Sequence, residues 1–588
     1  MSSQPMTGAA IVLQALKDQG VDVVFGYPGG VTLPIYDEIY KQNFLRHYLP
    51  RHEQGAMHAA EGYARSTGKV GVALVTSGPG ATNTVTGLTD AMMDSVPLVC
   101  LCGQVPTALI GNDAFQEADT TGITRQCTKH NYLVTDVDDL ARVMHEAFYV
   151  AAHGRPGPVV VDIPKDVITG LGDYMSPSKV HMKRYNPKTK GDKKAIEEAL
   201  KLLSKAKKPL FYAGGGVVNA GPAASQLLTQ FVQETGIPCT LTLMGLGAYP
   251  GTDKQFLGMC GMHGTYEANM AMHDCDLMIN VGARFDDRVT GRTDAFAPNS
   301  KKVHIDIDPS SINKNVAVDI PIIGDAGLIL EDMIKIWKSK QYKVSDKALK
   351  NWWKEIEGWR SRQSLAYEKA KDGVKPQHAI EHLYEAIKDQ DAYVTTDVGQ
   401  HQMWAAQYML FDKPNRWMTS GGLGTMGYGL PAAMGVQIAH PDKVVVCVTS
   451  ECSFQMNLQE LATIREHNLP VKILLCNNSF MGMVRQWQEL FYDERYSQSH
   501  MDHQPDFVAL AEAFGMTGIR ASKPDEVDGA IKQMLETEGP VLLDMVVTKE
   551  ENVFPMIPAG AAHHEMILGP EDEEEAELAN GGNGMVLA

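Results

Sequence analysis

Two apolar runs near the C-terminal end of this 588-residue chain, Val444–Val448 (VVVCV) and Val471–Cys476 (VKILLC), constrain its fold most. They read as adjacent strands joined by one helix. A strand–helix–strand unit is right-handed with parallel strands, so both runs open onto the same rim of a sheet. Open α/β sheets bind ligands at that rim. The first run leads into Ser450-Glu451-Cys452-Ser453 and the second into Asn477-Asn478, so a carboxylate and an amide oxygen face one site. Hard oxygen donors of this kind suit Mg2+ carrying a phosphorylated cofactor.

The chain is too long for one core. A formal net charge of −18 argues against a nucleic-acid or anionic-membrane partner. The nine cysteines are scattered, several inside apolar strand patterns, which points to buried thiols in a reducing compartment. Cys100-x-Cys102 suits alternation along a strand better than metal ligation. The N-terminal stretch has no secretory pattern and no apolar run reaches membrane-spanning length, so the expectation is a cytoplasmic protein.

Three α/β blocks follow one another. In the first, an amphipathic helix (Ala9–Gln19) precedes strands at Val21–Phe25, Val70–Thr76, Pro97–Cys102 and Pro158–Ile163. A polar stretch, Ser176–Lys194, reads as a linker. The second block has strands at Pro209–Ala213, Leu277–Val281 and Lys302–Ile307, and a charged helical connector, Ser345–Lys371, follows it. The third holds the opening pair and ends in a strand at Val541–Val547, before a loop and an acidic tail at Glu571–Glu577. The expected divisions are 1–175, 195–345, 376–550 and a C-terminal segment 551–588.

Several segments sit where strands end and helices begin. Arg51-His52-Glu53-Gln54-Gly55-Ala56 puts an acid at a helix start, which alone reads as a carboxylate favoured by the macrodipole. Ser77-Gly78-Pro79-Gly80-Ala81-Thr82-Asn83 is a Gly/Pro turn whose free amides could hold a ligand. With Gly26-Tyr27-Pro28-Gly29-Gly30 and Asp113-Ala114-Phe115-Gln116-Glu117, this ordered set resembles the pyrimidine-binding domain of thiamine diphosphate (ThDP) enzymes. The likeness extends over about residues 7–560, and the family it resembles is the catalytic subunit of acetohydroxyacid synthase (acetolactate synthase).

The resemblance implies an α/β chain of three doubly wound parallel-sheet domains of the pyruvate oxidase/decarboxylase type: pyrimidine-binding, central FAD-binding, and diphosphate/Mg-binding. It implies that Glu53 bonds the aminopyrimidine of ThDP, with Gln116 beside the chemistry and Pro79 and Asn83 touching the cofactor. The diphosphate half would come from Val398-Gly399-Gln400-His401, Ser453, Met483 and the segment Gly421–Gly427, where Gly424 and Met426 support the bent cofactor. Glu451, Asn478 and Phe480 would hold Mg2+. A structural FAD would lie against Arg155, Gly214-Gly215-Gly216, Arg284 and Asp306. Arg288 would receive the carboxylate of the second 2-keto acid. Trp487, which alone reads as a core aromatic, would favour 2-ketobutyrate over pyruvate. Phe115, Met483 and Val484 would complete that pocket, with Lys165, Pro106 and Met262 along its channel.

The implied reaction decarboxylates pyruvate and transfers a hydroxyethyl unit to pyruvate or 2-ketobutyrate, giving 2-acetolactate or 2-aceto-2-hydroxybutyrate for branched-chain amino-acid synthesis. The implied assembly is a homodimer or homotetramer with sites at the subunit interface, and the family commonly adds a small regulatory subunit. One segment departs from the pattern: Ser450-Glu451-Cys452 stands where the family has Gly-Asp-Gly. Glutamate keeps the charge but carries its carboxylate about 1.5 Å further. Either the loop adapts and Glu451 still binds metal, or affinity for Mg2+ and ThDP falls. The alternatives are therefore another ThDP enzyme, such as a flavin-free acetolactate synthase, pyruvate oxidase or glyoxylate carboligase, or a cofactor-impaired non-catalytic paralogue. Glu53 argues against the carboligase, which lacks that acid.

Overall fold

Buried, β-branched strands account for the architecture. The computed structural model describes residues 5–176, 180 and 182–570, so the acidic tail and part of the expected linker lie outside the described residues. Three six-stranded sheets carry the fold, and every pairing within them is parallel. The first sheet runs, in space, Arg46–Tyr48, Val23–Gly26, Gly71–Val75, Leu98–Gln104, Pro158–Pro164, His130–Leu133. The third repeats that order with Trp417–Met418, Tyr393–Thr396, Val445–Ser450, Lys472–Asn477, Val541–Val546, Thr517–Ala521. With strands numbered along the chain, both sheets read 2-1-3-4-6-5. The central sheet is ordered Phe256–Met259, Cys239–Leu241, Pro209–Ala213, Leu277–Val281, Lys301–Asp306, Ile320–Ile323, the 3-2-1-4-5-6 order of dinucleotide-binding sheets.

The long apolar strands lie within two residues of their expected bounds. The strands that sequence reading passes over are short or polar, such as Arg46–Tyr48 and His130–Leu133, which sit on sheet edges. Two expected elements need correction. The opening pair is joined by two short helices, Glu451–Gln455 and Leu461–Glu466, with a 3-10 turn at Leu458–Glu460 between them. The connector is helical only over Asp346–Arg360, capped by Ser345, whose side chain accepts from Ala348 N. Beyond Ser361 the chain turns, with Gln363 in the left-handed region.

Alternation along the third sheet divides its side chains between two neighbours. Val446, Val448 and Leu474 join the apolar cluster that includes Phe211, Ile279 and Trp337 of the central domain. Val445, Cys447 and Ile473 join the one that includes Ala59, Tyr63 and Ala73 of the first domain. On that second face the helices Glu53–Thr67 and Gly429–Ala439 meet backbone to backbone. A Cβ on Gly435 would come within 1.9 Å of the Ala59 carbonyl oxygen, and one on Gly62 within 2.2 Å of that of Ala432. The nine cysteines are free and buried, with Cys100 and Cys102 sulfurs 3.7 Å apart along one strand. Among the described residues no helix is long and apolar enough to cross a membrane.

One buried acid yields a test of the first domain. Asp162, on the Pro158–Pro164 strand, accepts from Gln104 Nε2 through one oxygen while the other has no partner. Burial pushes its pKa up to about 7. A carboxylate raised on folding favours the native state below its unfolded pKa, and that benefit is lost as pH rises to the folded value. Asp162→Asn should therefore stabilise the protein at pH 8, by on the order of 1 kcal/mol, and lose that advantage towards pH 4. Thermal unfolding midpoints at the two pH values check it.

Candidate cofactor site

The rim of the third sheet is built by its two central strands. Ser450 closes the first strand in an extended conformation, immediately before the helix that Glu451 begins. Cys452 is helical, so neither residue that replaces a family glycine is forced into the left-handed region. Glu451 is fully buried, and its Oε1 accepts the Phe480 amide at 3.0 Å. The Asn478 Oδ1 accepts the same amide at 3.1 Å, so the two oxygens converge. The Glu451 Oε2 is buried without a partner, and burial pushes the group's pKa up to about 7. The Cys452 thiol lies 3.7 Å from the Phe480 carbonyl oxygen. A carboxylate and an amide oxygen that converge, with a backbone carbonyl on the same loop, are donors of the kind a hard divalent cation takes. An unpartnered buried carboxylate oxygen is what such an ion would satisfy.

Next to this point the Tyr393–Thr396 strand leads through Val398-Gly399 into a helix that begins at Gln400. Gly399 has φ 151°, and a Cβ there would meet the His401 ring at 2.8 Å. The His401 Nε2 and Gln400 Oε1 are buried without partners, and burial lowers the His401 pKa to about 3, so the ring is neutral. The Ser453 hydroxyl donates to the Val398 carbonyl at 3.0 Å, tying the two loops together. Across from them runs the segment carrying Gly424 and Met426. Asp94 of the first domain holds that segment by accepting from Gly421 N and Gly422 N at 2.9 and 2.7 Å. Sequence reading missed Asp94, because nothing local to Met93-Asp94-Ser95 marks a contact that spans more than three hundred residues.

These residues open into a cavity of about 1490 Å³ that continues into the central domain. Pockets for one small ligand run to roughly 300–1,000 Å³, so the volume suits more than one. Gly215, Gly216, Arg284, Arg288, Asp306, Met262 and Arg155 line it, as do Met483, Val484 and Trp487 on the Gly482–Phe491 helix. Gly214 lies just behind, where a Cβ would meet the Gly282 carbonyl at 2.6 Å. Arg155 reaches from the first domain, donating to Ser95 Oγ at 2.8 Å and pairing with Asp308 at 3.4 Å. Asp306 accepts the Asp308 amide at 2.8 Å, so two acids cluster at one strand end. Asp286 caps the short helix that carries Arg288, whose guanidinium is 55% exposed and only 3.8 Å from Asp287. Trp487 is half-buried on the cavity wall and edge-on to Phe491, 5.2 Å away.

The remaining expected residues are elsewhere. Glu53, Pro79, Asn83, Gln116, Phe115, Pro106 and Lys165 do not line this cavity. Glu53 opens the Glu53–Thr67 helix, and the Asn83 side-chain amide donates to its Oε2 at 2.9 Å. Gln116, with φ 59°, packs its backbone against Gly78. Phe115 is 89% exposed, and Pro79 and Lys165 are exposed too. The expected residues therefore fall in two places: a walled cavity built mainly by the second and third domains with Asp94 and Arg155 of the first, and a separate surface of the first domain that carries Glu53.

Comparison with known proteins covers all three domains. Three family descriptions match in chain order: "Thiamine pyrophosphate enzyme, N-terminal TPP binding domain" over residues 6–123, "central domain" over 196–333 and "C-terminal TPP binding domain" over 397–545. The acetolactate synthase large subunit of Haemophilus influenzae is 50% identical over 572 residues, 97% of this chain and 99% of that protein. The acetolactate synthase isozyme 3 large subunit of Escherichia coli K12 is 51% identical over 568 residues, 96% of this chain and 98% of its own length. The acetolactate synthase large subunit of Pyropia yezoensis is 45% identical over 571 residues, 96% of each. With about half of the residues identical over nearly the full length and all three domain models matched in order, the chain belongs to the acetolactate synthase large-subunit family of thiamine pyrophosphate enzymes.

Proposed function

We propose that this chain catalyses the condensation of two 2-keto acids: pyruvate is decarboxylated and its two-carbon unit joins a second pyruvate or 2-ketobutyrate. The observation that carries the reading is the pair of half-sites, each with the residues one side of a bent ThDP needs. The same observation supports a homodimer or larger homo-oligomer. In this reading the walled cavity of one protomer faces the Glu53 surface of another, since Glu53 does not line the cavity of its own chain. A small regulatory subunit belongs to the same reading.

Bound ThDP supplies an acidic ring carbon that adds to a keto group and an electron sink for loss of carbon dioxide. Glu53 would be the acid that bonds the aminopyrimidine and exchanges a proton with it. Asn83 fixes one of its oxygens, leaving the other to take or give that proton. Gly399 lets backbone approach the diphosphate, with the His401 and Gln400 side chains behind it. Glu451, Asn478 and the Phe480 carbonyl would hold Mg2+, with Ser450 and Cys452 accommodated in ordinary backbone conformations. The second keto acid's carboxylate goes to the Arg288 fork, which its weak contact with Asp287 leaves available. Trp487 bounds the space for that acid's alkyl group. Arg155, Gly215, Gly216 and Arg284, which line the central part of the cavity, would hold FAD in a structural role.

Purified protein saturated with ThDP, Mg2+ and FAD is expected to form acetolactate from pyruvate in a colorimetric product assay. A folded, flavin-loaded protein that forms none contradicts the reading. Restoring the family triplet with Ser450→Gly, Glu451→Asp and Cys452→Gly should tighten ThDP binding, because aspartate shortens the arm towards an octahedral ion. Calorimetric titration of ThDP at fixed Mg2+ measures this, and equal affinity would show that the longer arm costs nothing. Trp487→Leu should lower the preference for 2-ketobutyrate by about 10-fold or more, the worth of one methylene contact. The ratio of the two products from mixed substrates reports it.

A further inference from the structure

Glu460 belongs to the Leu458–Glu460 turn of the third domain, yet its side chain serves the first. It is fully buried, and both carboxylate oxygens lie 3.0 Å from the Arg51 backbone N. The amide of His52 bonds it as well. The Arg51 guanidinium turns away to Glu466 at 2.5 Å, and among the described residues no ion pair reaches Glu460. A buried carboxylate is costly, and here the Arg51 and His52 backbone amides at the start of a helix are its main compensation, with the Arg51 charge a smaller contribution. The fit is close: a Cβ on Gly55 would come within 2.3 Å of Glu460 Oε1. One turn further on, the Thr463 hydroxyl donates to the Leu49 carbonyl at 2.7 Å. The segment from Leu49 to Gly55 is therefore gripped by a single turn of the neighbouring domain, and Glu53 sits in its middle.

We propose that Glu460 is a positioning residue for Glu53, fixing the chain at Arg51 and His52 so that the Glu53 carboxylate is presented in one place. This rests on the reading of Glu53 as the acid that exchanges a proton with the cofactor. Asn83 provides the second fixed point, 2.9 Å from Glu53 Oε2, but it reaches only the end of the side chain. The backbone beneath is set by Glu460. A misplacement of about 1 Å at a reacting group can cost on the order of 10²-fold in rate.

The test compares wild type with Glu460→Ala and Glu460→Gln, the latter keeping one acceptor oxygen. In cofactor-free protein, amide hydrogen exchange over residues 49–56 should speed up about tenfold or more in the alanine variant and less in the glutamine variant. The strand Leu277–Val281 of the central domain should keep its protection, which controls for global unfolding. With ThDP and Mg2+ bound, deuterium exchange at the reactive ring carbon, followed by NMR, should slow by about 10–100-fold in the alanine variant, with KM for pyruvate within about twofold. The glutamine variant should recover part of that rate. Unchanged exchange at 49–56 overturns the proposal, as does loosened backbone with ring-carbon exchange within about twofold of wild type. If wild type itself shows no ring-carbon exchange, the reading of Glu53 fails, while the amide measurement still decides whether Glu460 sets the backbone.

Discussion

The site depends on one close approach, the crossing of the Glu53–Thr67 and Gly429–Ala439 helices. Gly62 and Gly435 let their backbones meet where side chains of any size would hold them apart. Within one protomer this crossing fixes how the open surface of the first domain and the walled cavity are set relative to each other. Two buried carboxylates then cross the same boundary in opposite directions. Asp94 of the first domain holds Gly421 and Gly422 of the third, while Glu460 of the third holds Arg51 and His52 of the first. Each lies next to a segment that carries a candidate cofactor contact. Packing and polar anchoring thus act on the same residues that the chemistry needs.

The departure at Ser450-Glu451-Cys452 is less disruptive in structure than in sequence. The backbone there is an extended residue running into a helix, which tolerates Cβ atoms at both positions. What changes is the reach of the acid. Glu451 places one oxygen on the Phe480 amide and leaves the other buried and unpartnered. Nothing in the backbone forbids a metal ion. The consequence falls on coordination geometry, for which Mg2+ is exacting.

Sequence carried much of this, and the reasons are physical. Long, fully buried strands such as Pro209–Ala213 and Leu277–Val281 announce themselves because burial on both faces demands continuous apolar residues. The edge strand Arg46–Tyr48 has no such demand, and its three polar residues carry no signal. Candidate ligands at strand ends were legible because polar residues interrupt apolar runs there. The contacts of Asp94 and Glu460 were not, since each joins positions more than three hundred residues apart through backbone amides, which leave no trace in residue type. A site shared between subunits was legible only through the family resemblance, since composition and periodicity do not mark it. In the structure Trp487 and Arg288 line the cavity while Glu53 and Phe115 lie outside it.

That division is the centre of the account, and subunit mixing tests it most directly. Glu53→Gln disables the open half-site, and Asn478→Ala disables the walled one. Each variant alone should be inactive. Co-expressed in equal amounts, they should regain about a quarter of wild-type acetolactate formation, the share of intact sites expected from random pairing of symmetric subunits. No recovery from mixed dimers shown to contain both chains would mean that each site is built within one protomer, contradicting the account.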